Sequence, residues 1–183
     1  MKLLRTEIAT ERTQLRRWTD ADRAPFAVLN ADGEVMEHFP ATLDRAESDR
    51  AADRIEAHFA ARGFGLWALE IPGLASFAGF VGLSVPTFET AFTPCVEIGW
   101  RLARPFWGRG YVTESARAAL AFGFDDLGLS EIVSFTVPAN LRSRRVMERI
   151  GMTHDERDDF DHPVLPEGHP LRRHVLYRKR GPS

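Results

Sequence analysis

"RPFWGRGYVTES", residues 104–115, sets two glycines around an arginine just ahead of a helix-forming run. A turn that opens into a helix leaves several N–H groups without intrahelical partners, and these carry the positive end of the helix dipole. An anion fits at such a place. Gly108 and Gly110 let the backbone approach it with no Cβ in the way, and Arg104 and Arg109 add positive charge. On glycine spacing alone, a plain tight turn is the better reading. The segment is not a Walker loop, because G-x-x-x-x-G-K-[ST] is absent. It is not a dinucleotide fingerprint either, because no glycine stands three residues after Gly110.

The elements on either side give the turn its setting. Downstream, "TESARAALAFGFDDLG" (113–128) reads as a helix closed by Gly128, "EIVSFTV" (131–137) as a strand rich in β-branched residues, and "NLRSRRVMERIG" (140–151) as a short helix capped by Asn140 and ended by Gly151. "MTHDERDDF" and "RRHVLYRKR" read as two further strands around the loop "DHPVLPEGHP". Upstream, "CVEIGWRLA" (95–103), "SFAGFVGLSV" (76–85) and "FGLWALEI" (64–71) are strand-like and separated by Pro or Gly turns. "RAESDRAADRIEAHFAAR" (45–62) is a helix with Ala52, Ile55 and Phe59 on one face and Gly63 as its C-cap. "TDADRAPFAVLN" (19–30) is a helix opened by Thr19 and Asp20, and "ERTQLRRW" (11–18) is a first strand. The order β-α-α-β-β-β-α-β-α-β-β predicts a mixed α/β fold, with an antiparallel run first and a βαβ unit later.

With 183 residues, 44% hydrophobic and 27% charged, one domain over 1–183 is expected. Cys95 is the single cysteine, so no intrachain disulfide forms and a reducing cytoplasm fits. A formal net charge of −2 gives no support to a nucleic-acid partner. The most apolar window, 73–85, is too short to cross a bilayer, so no membrane is expected.

Residues 97–152 are similar to the Gcn5-related N-acetyltransferase (GNAT) superfamily, and most of all to its RimJ/RimL-like branch of ribosomal-protein N-terminal acetyltransferases. The resemblance rests on Trp107-Gly108-Arg109-Gly110-Tyr111-Val112-Thr113-Glu114, on Asn140 with Ser143, and on Gly151-Met152, in that order along the chain. It departs from the superfamily at Trp107, where Gln or Arg is frequent, at Val112, where Gly or Ala is frequent, and at Met147, where many relatives carry an acid tyrosine.

The resemblance implies a mixed sheet of about six to seven strands, splayed at its centre, with helices on both faces. It implies an enzyme that moves the acetyl group of acetyl-CoA directly to a primary amine through a tetrahedral intermediate, without a metal. The acceptor would be a protein N-terminal α-amine or a small-molecule amine, and the enzyme a monomer or homodimer. The rival reading is a non-catalytic acyl-CoA-binding module that senses the metabolite or docks a partner.

Carried onto this chain, the pantetheine arm bonds the backbone of Ile98, Trp100 and Leu102 on the splayed strand. The backbone N–H groups of Arg109, Gly110, Tyr111 and Val112 take the pyrophosphate, and Thr113 adds its hydroxyl. Asn140 bonds the pantetheine arm or is a plain helix cap. Ser143 is the candidate proton donor to the departing thiolate, and an exposed helix serine is the alternative. Glu97 is the candidate general base. Its place is offset by one residue from the strand carboxylate of relatives, which a β-bulge restores, and a solvated strand carboxylate is the alternative.

Other clusters carry less. None of the six histidines stands in an H-E-x-x-H arrangement. "DERDDFDHP" (155–163) reads as a solvated acidic loop in preference to an attractor for cationic amines. Arg142, Arg144, Arg145 and Arg149 read as a charged outer helix face in preference to a CoA phosphate site. Phe39, on a loop, is placed to wall the acceptor site.

Overall fold

The computed structural model of the chain describes residues 6–182. Its strands and helices, in chain order, are β1 (Ile8–Ala9), β2 (Gln14–Arg16), α1 (Arg23–Ala31), α2 (Arg45–Arg62), β3 (Leu66–Ile71), β4 (Ala75–Ser84), β5 (Glu97–Leu102), α3 (Tyr111–Ala121), β6 (Glu131–Thr136), α4 (Leu141–Arg149), β7 (Thr153–His154), β8 (Phe160–Asp161) and β9 (Arg173–Arg180). Among the described residues no helix is long and apolar enough to cross a membrane.

Local chemistry accounts for most boundaries. Asp44 and Glu47 form a reciprocal capping box at the start of α2, and Gly63 ends that helix in the left-handed region. The segment 19–30 divides in two. Thr19 caps a short 3-10 turn (Asp20–Asp22), and α1 follows. The expected first strand pairs only over β2, and β1 folds back onto it across a turn closed by Thr10 and Thr13. The helix expected over 113–128 starts two residues earlier, at Tyr111, and widens into a π-turn over Phe122–Asp126. In that turn Gly123 lies so close to β6 that a Cβ there would sit 2.5 Å from Cδ1 of Ile132.

The sheet has nine strands against the expected six to seven. The excess comes from β1, β7 and β8, each two residues long. The order is β1-β2-β3-β4-β5-β6-β9-β7, with β8 also on β9. Every pairing is antiparallel except that of β5 with β6, the pair joined through α3.

Register separates the two faces. Phe80 pairs with Ala68 and Arg101, whereas its neighbour Val81 pairs with Trp67 and Trp100. Successive side chains alternate faces, so these sets lie on opposite sides. Phe26 of α1 meets Phe80 on one side, and Phe122, just past α3, meets Trp67 on the other. Helices therefore cover both faces, and a continuous apolar core lies between them and the sheet.

Candidate active site

The sheet opens between β5 and β6. Their pairing is a single parallel register point, Glu97 opposite Val133. Val133 N–H donates to Val96 O at 2.9 Å, and Ser134 Oγ donates to Ile98 O at 2.9 Å. Past that fork β6 bonds only with β9, on its far side. Because Val96 and Ile98 present their carbonyls to β6, strand alternation turns the N–H and C=O of Trp100 into the same opening. The carbonyl of Leu102 is taken by the indole Nε1–H of Trp107 at 2.6 Å, which fixes the turn against the end of β5.

The turn itself is built as its glycines foretell. Gly108 and Gly110 have φ of 73° and 83°, a left-handed conformation in which an L side chain is strained. A Cβ on Gly108 would meet nothing within 4 Å, so open space lies in front of the backbone. Gly110 is the N-cap of α3, and the first intrahelical bond runs from Glu114 N–H to Gly110 O at 3.0 Å. The N–H groups of Tyr111, Val112 and Thr113 are thus the unpaired first donors of the helix. Arg12 braces the turn from the opposite edge of the sequence. Its Nη1 donates to Arg109 O at 3.0 Å and its Nε to Glu114 Oε2 at 2.7 Å, while the guanidinium lies 5.1 Å from the Tyr111 ring centre.

One cavity of about 730 Å³ runs through the opening. It brings together Glu97, Trp100, Leu102, Trp107, Gly108, Gly110, Tyr111, Val112, Thr113, Asn140 and Ser143, all of them expected at the site from the sequence. Ile98, Arg104 and Arg109 do not line it. Ile98 buries its side chain in the core and offers only backbone at the fork. The guanidinium of Arg104 is held by Asp32 (2.7 Å) and by Glu34, the acids that follow α1, so its charge is spent away from the turn. Arg109 has an exposed side chain, and its backbone carbonyl accepts from Arg12.

Asn140 caps α4. Its Oδ1 accepts from Ser143 N–H at 3.2 Å, and its Nδ2 donates to Thr136 Oγ1 at 3.0 Å. One N–H and one lone pair of the amide remain for a ligand. Ser143 Oγ has no hydrogen bond among the described residues. Met147, one turn further on, is buried and lines the same cavity. Tyr177, the other hydroxyl in the neighbourhood, donates to Glu148 Oε1 (3.1 Å), accepts from Arg144 Nε (3.2 Å) and is absent from the cavity wall.

Glu97 lines the cavity from β5, opposite Ser84 of β4. Burial pushes its carboxyl up to about 8, and a hydrogen bond with Ser84 offsets only part of that rise. Burial is also the main reason that the Cys95 thiol is pushed up to about 11, with the Glu97 charge adding to it. The Cys95 side chain does not line the cavity. Burial also lowers the affinity for a proton of His38, His162 and His174, which line the same cavity.

The acidic segment 155–163 is paired within the chain: Asp155 with Arg157, Asp158 with Arg178, Asp159 with His154, and Asp161 with Arg173. Of the α4 arginines, Arg142 stacks 4.2 Å from the Trp107 ring centre and bonds Glu37, and Arg144 bonds Pro138 O and Tyr177. Arg145 and Arg149 line the cavity without an ion pair among the described residues.

Sequence reasoning missed Arg12, Ser84, Arg101 and the histidines of the wall. Arg12 and Ser84 are distant in sequence from what they touch. Arg101 carried a readable signal, since it stands four residues after Glu97 in one strand and therefore on its face.

The acetyltransferase (GNAT) domain family matches residues 12–153. The chain is 32% identical over 149 residues to the uncharacterized protein YkkB of Bacillus subtilis, covering 81% of this chain and 86% of that one. It is 36% identical over 132 residues to the FsC-acetyl coenzyme A-N(2)-transacetylase of Aspergillus fumigatus, covering 66% of this chain and 55% of that longer protein. Among solved structures, a GNAT-family acetyltransferase from Bacillus anthracis superposes with a TM-score of 0.77 at 22% identity, over 95% of this chain and 98% of that one.

Proposed function

The chain belongs to the GNAT acetyltransferase family, and from that premise we propose that it transfers the acetyl group of acetyl-CoA directly to a primary amine, with residues 1–183 acting as one domain. The observation that carries this reading is that one cavity touches the glycine turn, Ser143 and Glu97 together, at the place where β5 and β6 part.

The residues fit the cosubstrate. The open space before Gly108 and the unpaired N–H groups of Tyr111, Val112 and Thr113 suit a pyrophosphate. Arg145 and Arg149 add attraction for phosphate. The backbone of Trp100 and the spare amide valences of Asn140 suit the pantetheine arm. Acetyl-CoA supplies an activated acetyl thioester, and the chain's own residues supply the proton traffic.

Glu97 takes the proton that the acceptor nitrogen must lose before or as it bonds the acetyl carbon. A base whose pKa lies near the working pH combines a sufficient ionised fraction with a sufficient driving force. Ser143 Oγ passes a proton to the leaving thiolate while it takes one up from solvent in the cavity, since Met147 has none to give and the Tyr177 hydroxyl is occupied elsewhere. Transfer is direct because Cys95 lies off the cavity wall and its thiol stays protonated.

Calorimetry with acetyl-CoA, followed by thiol release from acetyl-CoA against a panel of peptide and small-molecule amines, tests the reading. Binding and amine-dependent release are expected. Binding without release for any amine would favour the acyl-CoA-binding module, and absence of binding would overturn both.

A further inference from the structure

Arg101 is an arginine in an unusual position. It lies on the same face of β5 as Glu97 and Gly99 and lines the same cavity. Its guanidinium is packed 4.2 Å from the ring centre of Phe39 and 5.4 Å from that of Phe80. Its Nη1 donates to Oδ1 of Asn30, a buried neutral amide that is itself held by Ser48 Oγ at 2.9 Å. Its Nε is buried and has no hydrogen-bond partner, and no carboxylate of the described residues lies within ion-pair distance of it. Burial alone draws the guanidinium down to about 10, so it remains a cation at neutral pH.

A half-buried cation without an anion has lost much of its hydration, and a site that keeps one gains when an anion arrives. The remaining surroundings are two aromatic rings and a neutral amide, which hold the guanidinium in place but leave its charge uncompensated. Between Arg101 and Glu97, Gly99 leaves the strand face clear. A Cβ there would have as its nearest neighbour Glu97 Oε1, at 3.7 Å. The face thus presents a proton acceptor, a gap and a fixed cation in a row.

We infer that the acceptor is a small amino acid-like molecule whose carboxylate pairs with Arg101 while its amine is directed to Glu97. This deepens the acetyl-transfer reading and rests on it. The Cα atoms of residues four apart in a strand stand roughly 13 Å from one another, and the two side chains shorten the gap by leaning inward. The match is therefore with an amine and a carboxylate separated by several bonds. A guanidinium enclosed by two rings is reached by a slim chain more readily than by a protein terminus.

The probes are α-amino acids and the ω-amino acids from glycine to 6-aminohexanoate, each beside its carboxamide. Thiol release from acetyl-CoA and calorimetry on the CoA-saturated protein are the readouts. Wild type is expected to prefer at least one acid over its amide by about thirtyfold or more, the scale on which a buried charge pair is missed when one partner is removed. Arg101→Gln should bring the ratio near one while acetyl-CoA affinity is kept, and Arg101→Lys should retain part of the preference. Acid and amide treated alike by wild type, or a preference that survives Arg101→Gln, would overturn the inference, and the wild-type ratio decides even where Arg101→Gln folds poorly. Loss of acetyl-CoA binding by wild type would instead strike the acetyl-transfer reading, while acid-against-amide binding still decides the role of Arg101.

Discussion

Replacing Glu97 by glutamine should make the protein more stable and far slower, with both effects governed by pH. In the folded chain the carboxyl holds its proton up to about 8, against 4.5 for the ordinary group. Between those values the folded state binds more protons than the unfolded one, so wild-type stability falls as pH rises through the interval and the loss is complete above it. A tenfold change in proton affinity corresponds to about 1.4 kcal/mol, so the interval from 4.5 to about 8 amounts to roughly 5 kcal/mol. Glutamine has the shape of the protonated acid and does not ionise. The melting temperatures of wild type and Glu97→Gln should therefore agree at about pH 4 and separate by about 10 °C or more in favour of the variant at about pH 9. Turnover should fall by about 10²–10⁴-fold. With an acceptor that stays unprotonated throughout, such as an alkoxyamine, the wild-type rate should rise with pH through a value near 8 and the variant's profile should be flat. A gap in melting temperature that is constant with pH, together with superimposable rate profiles, would refute the placement of Glu97 as a buried base.

Gly110→Val places a branched side chain at a φ of 83°, with its Cβ 3.3 Å from Arg12 Nη2. It should cost folding about 1–2 kcal/mol or somewhat more, and acetyl-CoA affinity should fall well beyond what that loss explains, as calorimetry beside thermal melting would show. Normal affinity with a large drop in melting temperature would make this a structural turn only. Ser143→Ala should slow kcat at saturating amine and leave acetyl-CoA affinity nearly intact; a kcat within about twofold of wild type would point to water as the acid. Cys95→Ala should leave turnover unchanged, and a loss of the chemical step in single-turnover kinetics would contradict direct transfer.

Much of this was legible because the informative signals are local. Gly108 and Gly110, the apolar face of 45–62 and Gly63 act within a few residues, and the helix over 45–62 was placed to the residue. The opening between β5 and β6 was reached through resemblance, since no local pattern says where a strand will leave its neighbour. Arg104 was misplaced for the same reason. Its partners, Asp32 and Glu34, lie some seventy residues away, and only the folded chain brings them to it. The single strand expected over "MTHDERDDF" is instead two two-residue strands, β7 and β8, parted by a 3-10 turn at Glu156–Asp158, because Asp155 accepts from Arg157 N–H and turns the chain there.

The brace between Arg12 and the turn has a meaning for the order in which the molecule is completed. Arg12 N–H and Nε–H close onto Glu114 across 102 residues of chain. At about 5–20 residues per second, a ribosome takes on the order of 5–20 seconds to deliver one partner after the other. During that interval the β1–β2 hairpin has left the ribosome and its latch has not. Loop closure over such a span is slow compared with local helix formation. On the proposed reading the glycine turn matures late, and acetyl-CoA affinity would report the docking of the amino-terminal edge more sensitively than circular dichroism, which registers helices formed without it.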